Sequence, residues 1–238
     1  MKQMNERVAV YFGTRNVYGD MVVGAKSLLN HTRMDRIWFL IEDDAFPEKL
    51  PEVIKTKNIS GQTWFPPGGP NYNAHWTYTC LLTLAFPEIF PEDKRVLRLD
   101  NDTVVRKDIG ELFDIDLKDN YTAMVEEPVR SKFPFRYFNA GVCLMNLEKF
   151  RETGIYRKMI DMANSMVLTA MDQDAINVYC QGQILKLPPV WNEAGHITEY
   201  AADPYIKHYA GCLKPGWRRD YERYRNMDWR DCNAAENE

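Results

Sequence analysis

Short apolar runs bounded by turn residues alternate along this chain with stretches of helical periodicity, and that alternation admits few architectures. Arg7 to Phe12 (RVAVYF) reads as a buried strand ending at Gly13, a helical stretch follows from about Gly19 to Asn30, and Arg36 to Ile41 (RIWFLI) closes a βαβ unit. A helical run from about His75 to Phe86 leads through Pro87 and Pro91 to a strand at Arg95 to Leu99 (RVLRL). Tyr121 to Val125, Val142 to Asn146, Ile184 to Leu187 and Ile206 to Tyr209 read as further strands, with helices over Glu148 to Met166 and Asp172 to Cys180. Strands interleaved with helices predict a layered α/β domain. Trp64 to Asn73 (WFPPGGPNYN), with three prolines and two glycines, predicts a loop with freedom to move.

At 238 residues the chain has the length for one large α/β domain or two small ones, and for a full core. Thirty basic against thirty-four acidic residues, a net charge of −4, argue against nucleic acid as a partner, whose footprint would be a basic excess. No window approaches the roughly 18 consecutive apolar residues of a membrane helix, and the start of the chain lacks the apolar stretch of a signal peptide. Five cysteines, odd in number and without a C-x-x-C pair, indicate neither a disulfide framework nor a thiolate zinc site. These features predict a soluble, unprocessed chain in a reducing, cytoplasmic setting. From Arg218 onward five arginines (Arg218, Arg219, Arg223, Arg225, Arg230) interleave with Asp220, Glu222, Asp228 and Asp231, which predicts an ion-paired, solvated tail.

The strand at Arg95 to Leu99 delivers Asp100, Asn101 and Asp102 at its carboxyl end, where open α/β sheets bind ligands. In an extended segment residues i and i+2 project to one side, so both carboxylates can face one cation. Hard oxygen donors favour Mg2+, Mn2+ or Ca2+. His208, in the apolar segment IKHYAG that ends at Gly211, reads either as a core histidine or as a third ligand. An imidazole beside two carboxylates suits Mn2+ better than Mg2+. Lys214, just beyond, is placed to meet phosphate oxygens. An apolar strand running into Asp100 and Asp102 also resembles the opening of haloacid-dehalogenase-like phosphatases, where Asp100 would be the phosphorylated nucleophile and Asp102 its acid/base partner. That alternative needs an acidic pair from a later strand end, and the chain offers no convincing one.

Four further segments keep order and spacing with this D-x-D: YFNAGVCLMNLEKFR (Tyr137 to Arg151), DQDAINVY (Asp172 to Tyr179), LPPVWN (Leu187 to Asn192) and HYAGCLKPGW (His208 to Trp217). Together they resemble family eight of the retaining glycosyltransferases, which includes glycogenin and the bacterial lipooligosaccharide galactosyltransferases. The resemblance runs from about Arg7 to Trp217. It implies a single GT-A-like domain over residues 1–217, with a Rossmann-like, nucleotide-binding mixed sheet flanked by helices, and a charged tail over residues 218–238. It also implies UDP-glucose or UDP-galactose as donor, Mn2+ (with Mg2+ as its substitute) bridging protein and diphosphate, a glycan or other hydroxyl acceptor, and a homodimer.

Carried over by position, Asp100, Asp102 and His208 would be metal ligands, while Asn101, Gly211 and Lys214 would join Asp100 in holding the sugar nucleotide. Asn139, Ala140 and Gly141 would line the sugar pocket, and Asp172 and Gln173 would flank the sugar's reacting face. An amide at Gln173 is a poor nucleophile, so the resemblance implies same-face attack by the acceptor in place of a covalent intermediate. Thr14, Asn16 and Val17 fall where the family contacts the base, and Trp217 is expected beside the ligand. There are two departures. Val17 lacks the aromatic ring that often stacks on the base, with Tyr18 as the neighbouring substitute. Thr83 stands where the family usually carries Arg or Lys, which would pass that cation's duty to Arg15, Lys26 or Lys214, or leave a catalytically silent binding protein. Read without the resemblance, Asn139 is a turn residue before a strand and Asp172 the cap of the helix it begins.

Overall fold

The computed structural model describes residues 5–59, 63–72, 78–128, 134–211 and 216–232. Seven strands form one sheet in the order β3-β2-β1-β4-β7-β6-β8. They are β1 (Val8–Phe12), β2 (Arg36–Ile41), β3 (Ile54–Asn58), β4 (Arg95–Leu99), β6 (Thr122–Glu126), β7 (Phe138–Asn146) and β8 (Ile184–Leu187). β7 runs antiparallel to both neighbours, and the remaining pairs are parallel. A strand buried on both faces cannot alternate, which is why RVAVYF and RVLRL are nearly continuous apolar runs. One face packs Val10, Phe12, Val96 and Cys143 under a 3-10 helix (Tyr78–Ala85) and α2 (Phe86–Ile89), α4 (Leu147–Thr153), α5 (Ile155–Ser165) and α6 (Asp172–Tyr179). The other packs Ala9, Tyr11, Leu97 and Leu99 under α1 (Tyr18–Leu29) and α3 (Gly110–Phe113).

The chain builds β1, β2 and β3 outward in one direction and then returns to lay β4 on the other side of β1. That reversal opens a crevice beyond the carboxyl ends of β1 and β4, the place where such sheets bind ligands. Gly13 to Asn16 and Asp100 to Asp102 border it. A separate antiparallel pair, β5 (Thr103–Val105) with β9 (Ile206–His208), sets Thr103 opposite His208 and folds the late histidine back over the crevice.

Several local expectations are revised. Asn139 to Gly141 lie inside β7, which has nine residues, and not in a turn before it. The stretch expected as one helix from Glu148 is two, because Gly154 adopts φ 66° between α4 and α5. The stretch before Phe86 winds as a 3-10 helix from Tyr78, and residues 73–77 lie outside the described residues. The Pro/Gly-rich loop is pinned over its described part: buried Asn71 donates from Nδ2 to the Ala163 and Met166 carbonyls at 2.6 and 2.9 Å, and its Oδ1 accepts from Leu168 N. The arginine-rich segment is ion-paired, yet part of it is not solvated. Residues Trp217–Asn226 form α7, which buries Tyr224 against Val23 of α1 and Val104 of β5.

Candidate active site

Asp100 and Asp102 stand in the tight turn joining β4 to β5, closed by Thr103 N and Oγ1 donating to the Asp100 carbonyl at 3.1 and 2.7 Å. The turn, and not strand alternation, brings the carboxylates together. His208 Nε2 lies 3.4 Å from Asp100 Oδ2 and 3.3 Å from Asp102 Oδ1. One ligand atom from each of the three residues lies within 4.8 Å of the others. Burial opposes a charge on the His208 ring, but Asp102 and Asp100 outweigh it and raise its pKa above the ordinary imidazole value. Two carboxylates and an imidazole converging at a crevice form a donor set that fits Mn2+ or a similar divalent cation.

The imidazole is aimed by its neighbours. His208 Nδ1 donates to Asn192 Oδ1 at 3.0 Å, which leaves Nε2 facing the carboxylates. Asn192 Nδ2 donates to Asn139 Oδ1 at 2.8 Å, and Asn139 Nδ2 donates to Glu127 Oε2 at 2.9 Å. The same Glu127 oxygen accepts from Gln173 Nε2 at 3.1 Å, and Gln173 Oε1 accepts from Ala140 N at 2.9 Å. A buried chain of hydrogen bonds thus joins the metal-type ligand to the amide expected at the reacting face. Gly141 has a packing reason for being glycine: a Cβ there would overlap the His208 ring.

Arg98 organises the other flank. It projects from β4 on the side of Val96, is 5 % exposed, and its NH2 group lies 2.9 Å from Asp100 Oδ1 and 3.3 Å from Asp172 Oδ2. Its NH1 donates to the Ala140 carbonyl, and its Nε donates to Thr83 Oγ1 at 3.4 Å. Thr83 also hydrogen-bonds Asp172. A cation thus stands beside Thr83, supplied by β4 and not by the helix, with its charge engaged by Asp100 and Asp172. Burial raises the Asp172 pKa, with Arg98 and Thr83 pulling against it. The structure redirects the other expected substitutes. Arg15 pairs with Asp43 at the surface, 3.1 Å away, and Lys26 is turned under α7, donating to the Met227 carbonyl at 2.5 Å. Lys214 lies outside the described residues.

The remaining expected residues divide. Asp172 begins α6 without capping it; its Oδ1 accepts from the adjacent Gln173 N at 3.0 Å. Asn101 is tied to the Phe12 carbonyl at 2.9 Å, bridging the ends of β1 and β4. Thr14 and Asn16 sit on the turn after β1, half-buried and exposed respectively. Tyr18 is no stacking platform for a base: it is buried against Phe46, with ring centroids 4.9 Å apart. Gly211, at φ 89°, stands in open space after β9. Trp217 packs on Tyr209 and Tyr221. Sequence reasoning missed Arg98, Asn192 and Glu127 as parts of the site. Arg98 had a signal, a charged residue inside an apolar strand that runs into two aspartates; Glu127 had none. The late acidic pair that a phosphatase would need is absent from this cluster among the described residues, and His208 stands there instead.

Comparison with known proteins agrees with this geometry. A profile described as Glycosyl transferase family 8 matches residues 10–220. The glycosyltransferase GlyF of Streptococcus pneumoniae is 27% identical over 234 residues, covering 86% of this chain and 57% of that protein. The lipopolysaccharide 1,2-glucosyltransferase of Escherichia coli is 30% identical over 151 residues, covering 52% of this chain and 44% of that protein. The chain thus spans about half the length of these curated relatives. Among solved structures, a galactosyltransferase, LgtC, in complex with donor and acceptor sugar analogs superposes with a TM-score of 0.76 at 21% identity, covering 94% of this chain and 99% of that one. GlyE of Streptococcus pneumoniae superposes at 0.73 with 22% identity, covering 96% and 62%. These likenesses show a common fold.

Proposed function

Since this chain belongs to glycosyltransferase family 8 and has the GT-A fold, we propose that it transfers a hexose, glucose or galactose, from a UDP-sugar to a saccharide or other hydroxyl acceptor with retention of anomeric configuration. The observation that carries this reading is the joining of a three-ligand cation site (Asp100, Asp102, His208) to the Asp172 and Gln173 pair through one buried arginine. A divalent cation held by those three ligands, Mn2+ in this reading, would offset charge developing on the departing diphosphate. Thr14 and Asn16 would meet the base, with Asn101 bracing the turn beside them. Asn139, Ala140 and Gly141, fixed within β7, would line the sugar pocket, and Gly211 and Lys214 would close on the diphosphate.

In the transfer, the bond from anomeric carbon to phosphate oxygen breaks with its electron pair leaving on UDP, and a bond from that carbon to the acceptor oxygen forms on the same face. The acceptor's proton passes to the departing phosphate oxygen. Gln173, locked by Glu127 and Ala140, is an amide and cannot serve as a carboxylate nucleophile, so its role is to orient the sugar. Asp172, fixed by Arg98, would hold sugar hydroxyls. Membership of the family favours transfer over a silent binding protein. No helix among the described residues is long and apolar enough to cross a membrane, the four described cysteines are free, and a reducing, cytoplasmic location belongs to this reading.

Thermal denaturation tests the donor site. UDP, UDP-glucose and UDP-galactose are expected to stabilise the protein by about 2.7 kcal/mol at a hundredfold excess over Kd, only with Mn2+ present, while GDP and ADP are not. Asp102→Ala is expected to abolish the shift, and UDP release from one of the two donors to accompany transfer. A protein that no nucleotide stabilises would not be a working UDP-sugar transferase.

A further inference from the structure

The arginine-rich segment after residue 217 is not used by the site above. Three of its arginines are accounted for: Arg218 pairs with Glu222 at 3.0 Å, Arg225 with Glu48 at 2.5 Å, and Arg230 with Asp228 at 3.0 Å. Arg219 and Arg223 differ. They lie one turn apart on the same face of α7 and converge with Arg106, just after β5, and His31, just after α1, around a cleft of about 350 Å³. Val104 and Tyr224 form its apolar wall.

Hydrogen bonds hold Arg106 in place, and the charges around the cleft do not balance. Arg106 NH2 donates to Tyr209 Oη at 3.0 Å and Asp220 Oδ2 at 3.1 Å. The Arg223 guanidinium stacks over the Tyr224 ring at 5.0 Å and has no carboxylate within ion-pair distance among the described residues. Arg219 Nε stands 3.9 Å from Asp220 Oδ1. Among the described residues Asp220 is the single carboxylate lining the cleft against three guanidinium groups, an excess of two positive charges. Like charges four residues apart on a helix repel, and an arrangement that adds a third cation opposite them is relieved by an anion. His31 Nε2 lies 3.3 Å from Asn30 Nδ2 and 3.4 Å from Tyr224 Oη, both able to donate to it. Burial and Arg223 lower the His31 pKa from its ordinary value, with Asp108 opposing them.

We propose that this cleft is a binding site for a phosphate monoester. A monoester carries close to two negative charges at neutral pH, which matches the excess, and guanidinium forks suit its oxygens better than ammonium groups do. The volume admits a phosphoryl group together with part of the sugar or glycerol that bears it. The cleft is distinct from the donor site: Val104 lines it, while Thr103, the neighbour with the opposite orientation, pairs across from His208. The two are adjacent all the same, since Tyr209 N donates to the Asp102 carbonyl at 2.9 Å and Tyr209 Oη to Asp220. The phosphoryl group has two sources, a soluble sugar phosphate or the headgroup of a phosphatidic acid bilayer.

The test uses the full chain without nucleotide. Thermal shift is followed against inorganic phosphate and glucose 6-phosphate at constant ionic strength set with sodium chloride, and co-sedimentation against phosphatidylcholine vesicles with and without phosphatidic acid. The same measurements are made on the double variant Arg219→Gln, Arg223→Gln, whose side chains are exposed and lie outside the donor site. A saturable phosphate shift, weakened roughly tenfold or more in the variant through loss of charge-assisted hydrogen bonds, is the expected result. Tighter binding of glucose 6-phosphate than of inorganic phosphate identifies a soluble ligand; sedimentation with phosphatidic acid that the variant loses identifies the bilayer. The proposal is overturned if phosphate does no more than chloride, or if its effect survives in the double variant, as it would were phosphate held in the donor pocket.

Discussion

Arg98 of β4 holds two carboxylates, Asp100 from the turn that follows its own strand and Asp172 from α6, the latter 74 residues away along the chain. A guanidinium remains charged throughout the accessible pH range, so its removal leaves Asp172 buried without a counter-charge. Arg98→Met is therefore expected to cost about 3 kcal/mol in urea denaturation. Adding Asp172→Asn removes the stranded charge and should recover much of that loss, giving a coupling energy above about 1 kcal/mol in a double-mutant cycle. Simple additivity of the two substitutions would mean that the pair is not energetically linked. At this scale residue type and spacing single out Asp100 and Asp102, while His208 joins them only through the resemblance to the family. It is silent on Glu127, which reaches the site only because β6 lies beside β7 and across from the start of α6.

The elements were legible where period and composition agree, and less so where backbone geometry decides. β1, β2, β4 and β8 are apolar runs between turn residues, and the structure places them within a residue of expectation. β3 (IKTKN) is an edge strand whose one apolar residue is Ile54, so it carries little apolar signal. The break between α4 and α5 depends on the left-handed backbone of Gly154. A Cβ at Gly154 would meet only Arg157 NH1, 3.9 Å away, so backbone strain and not crowding sets the cost of substitution. Gly154→Ala should lower stability by about 1–2 kcal/mol in a urea titration, while Gly154→Asn, which tolerates this conformation better, should cost less. Equal losses for the two would point away from backbone strain.

Across the whole molecule, groups that bury their protons set the alkaline limit of stability. Burial pushes the Cys143 thiol up to about 12, with Arg98 opposing, and burial together with the Asp220 hydrogen bond pushes the Tyr209 phenol up to about 12. The unfolded chain releases these protons near pH 9 and 10, whereas the folded chain keeps them, so the folded state binds more protons and stability falls as pH rises between those values and about 12. Each group contributes a slope of up to about 1.4 kcal/mol per pH unit in its window. The free energy of unfolding is expected to decline from about pH 9, and Cys143→Ala to flatten the first part of that decline. An unchanged slope in the variant would remove Cys143 from the account.

By itself the sequence determined the layered architecture, the delivery of two aspartates at a strand's carboxyl end, and the family to which the chain belongs. Those depend on local periodicity, on residue types and on the order of motifs along the chain. Only the tertiary structure decided that His208 crosses back through β9, that Arg98 joins Asp100 to Asp172 beside Thr83, that Asn192 and Glu127 complete a hydrogen-bonded path, and that two arginines of α7 face a cleft. Each of these is a contact between residues far apart in the chain. Buried charges and amides must find partners wherever the packed layers bring them, and no local pattern records which partner that will be.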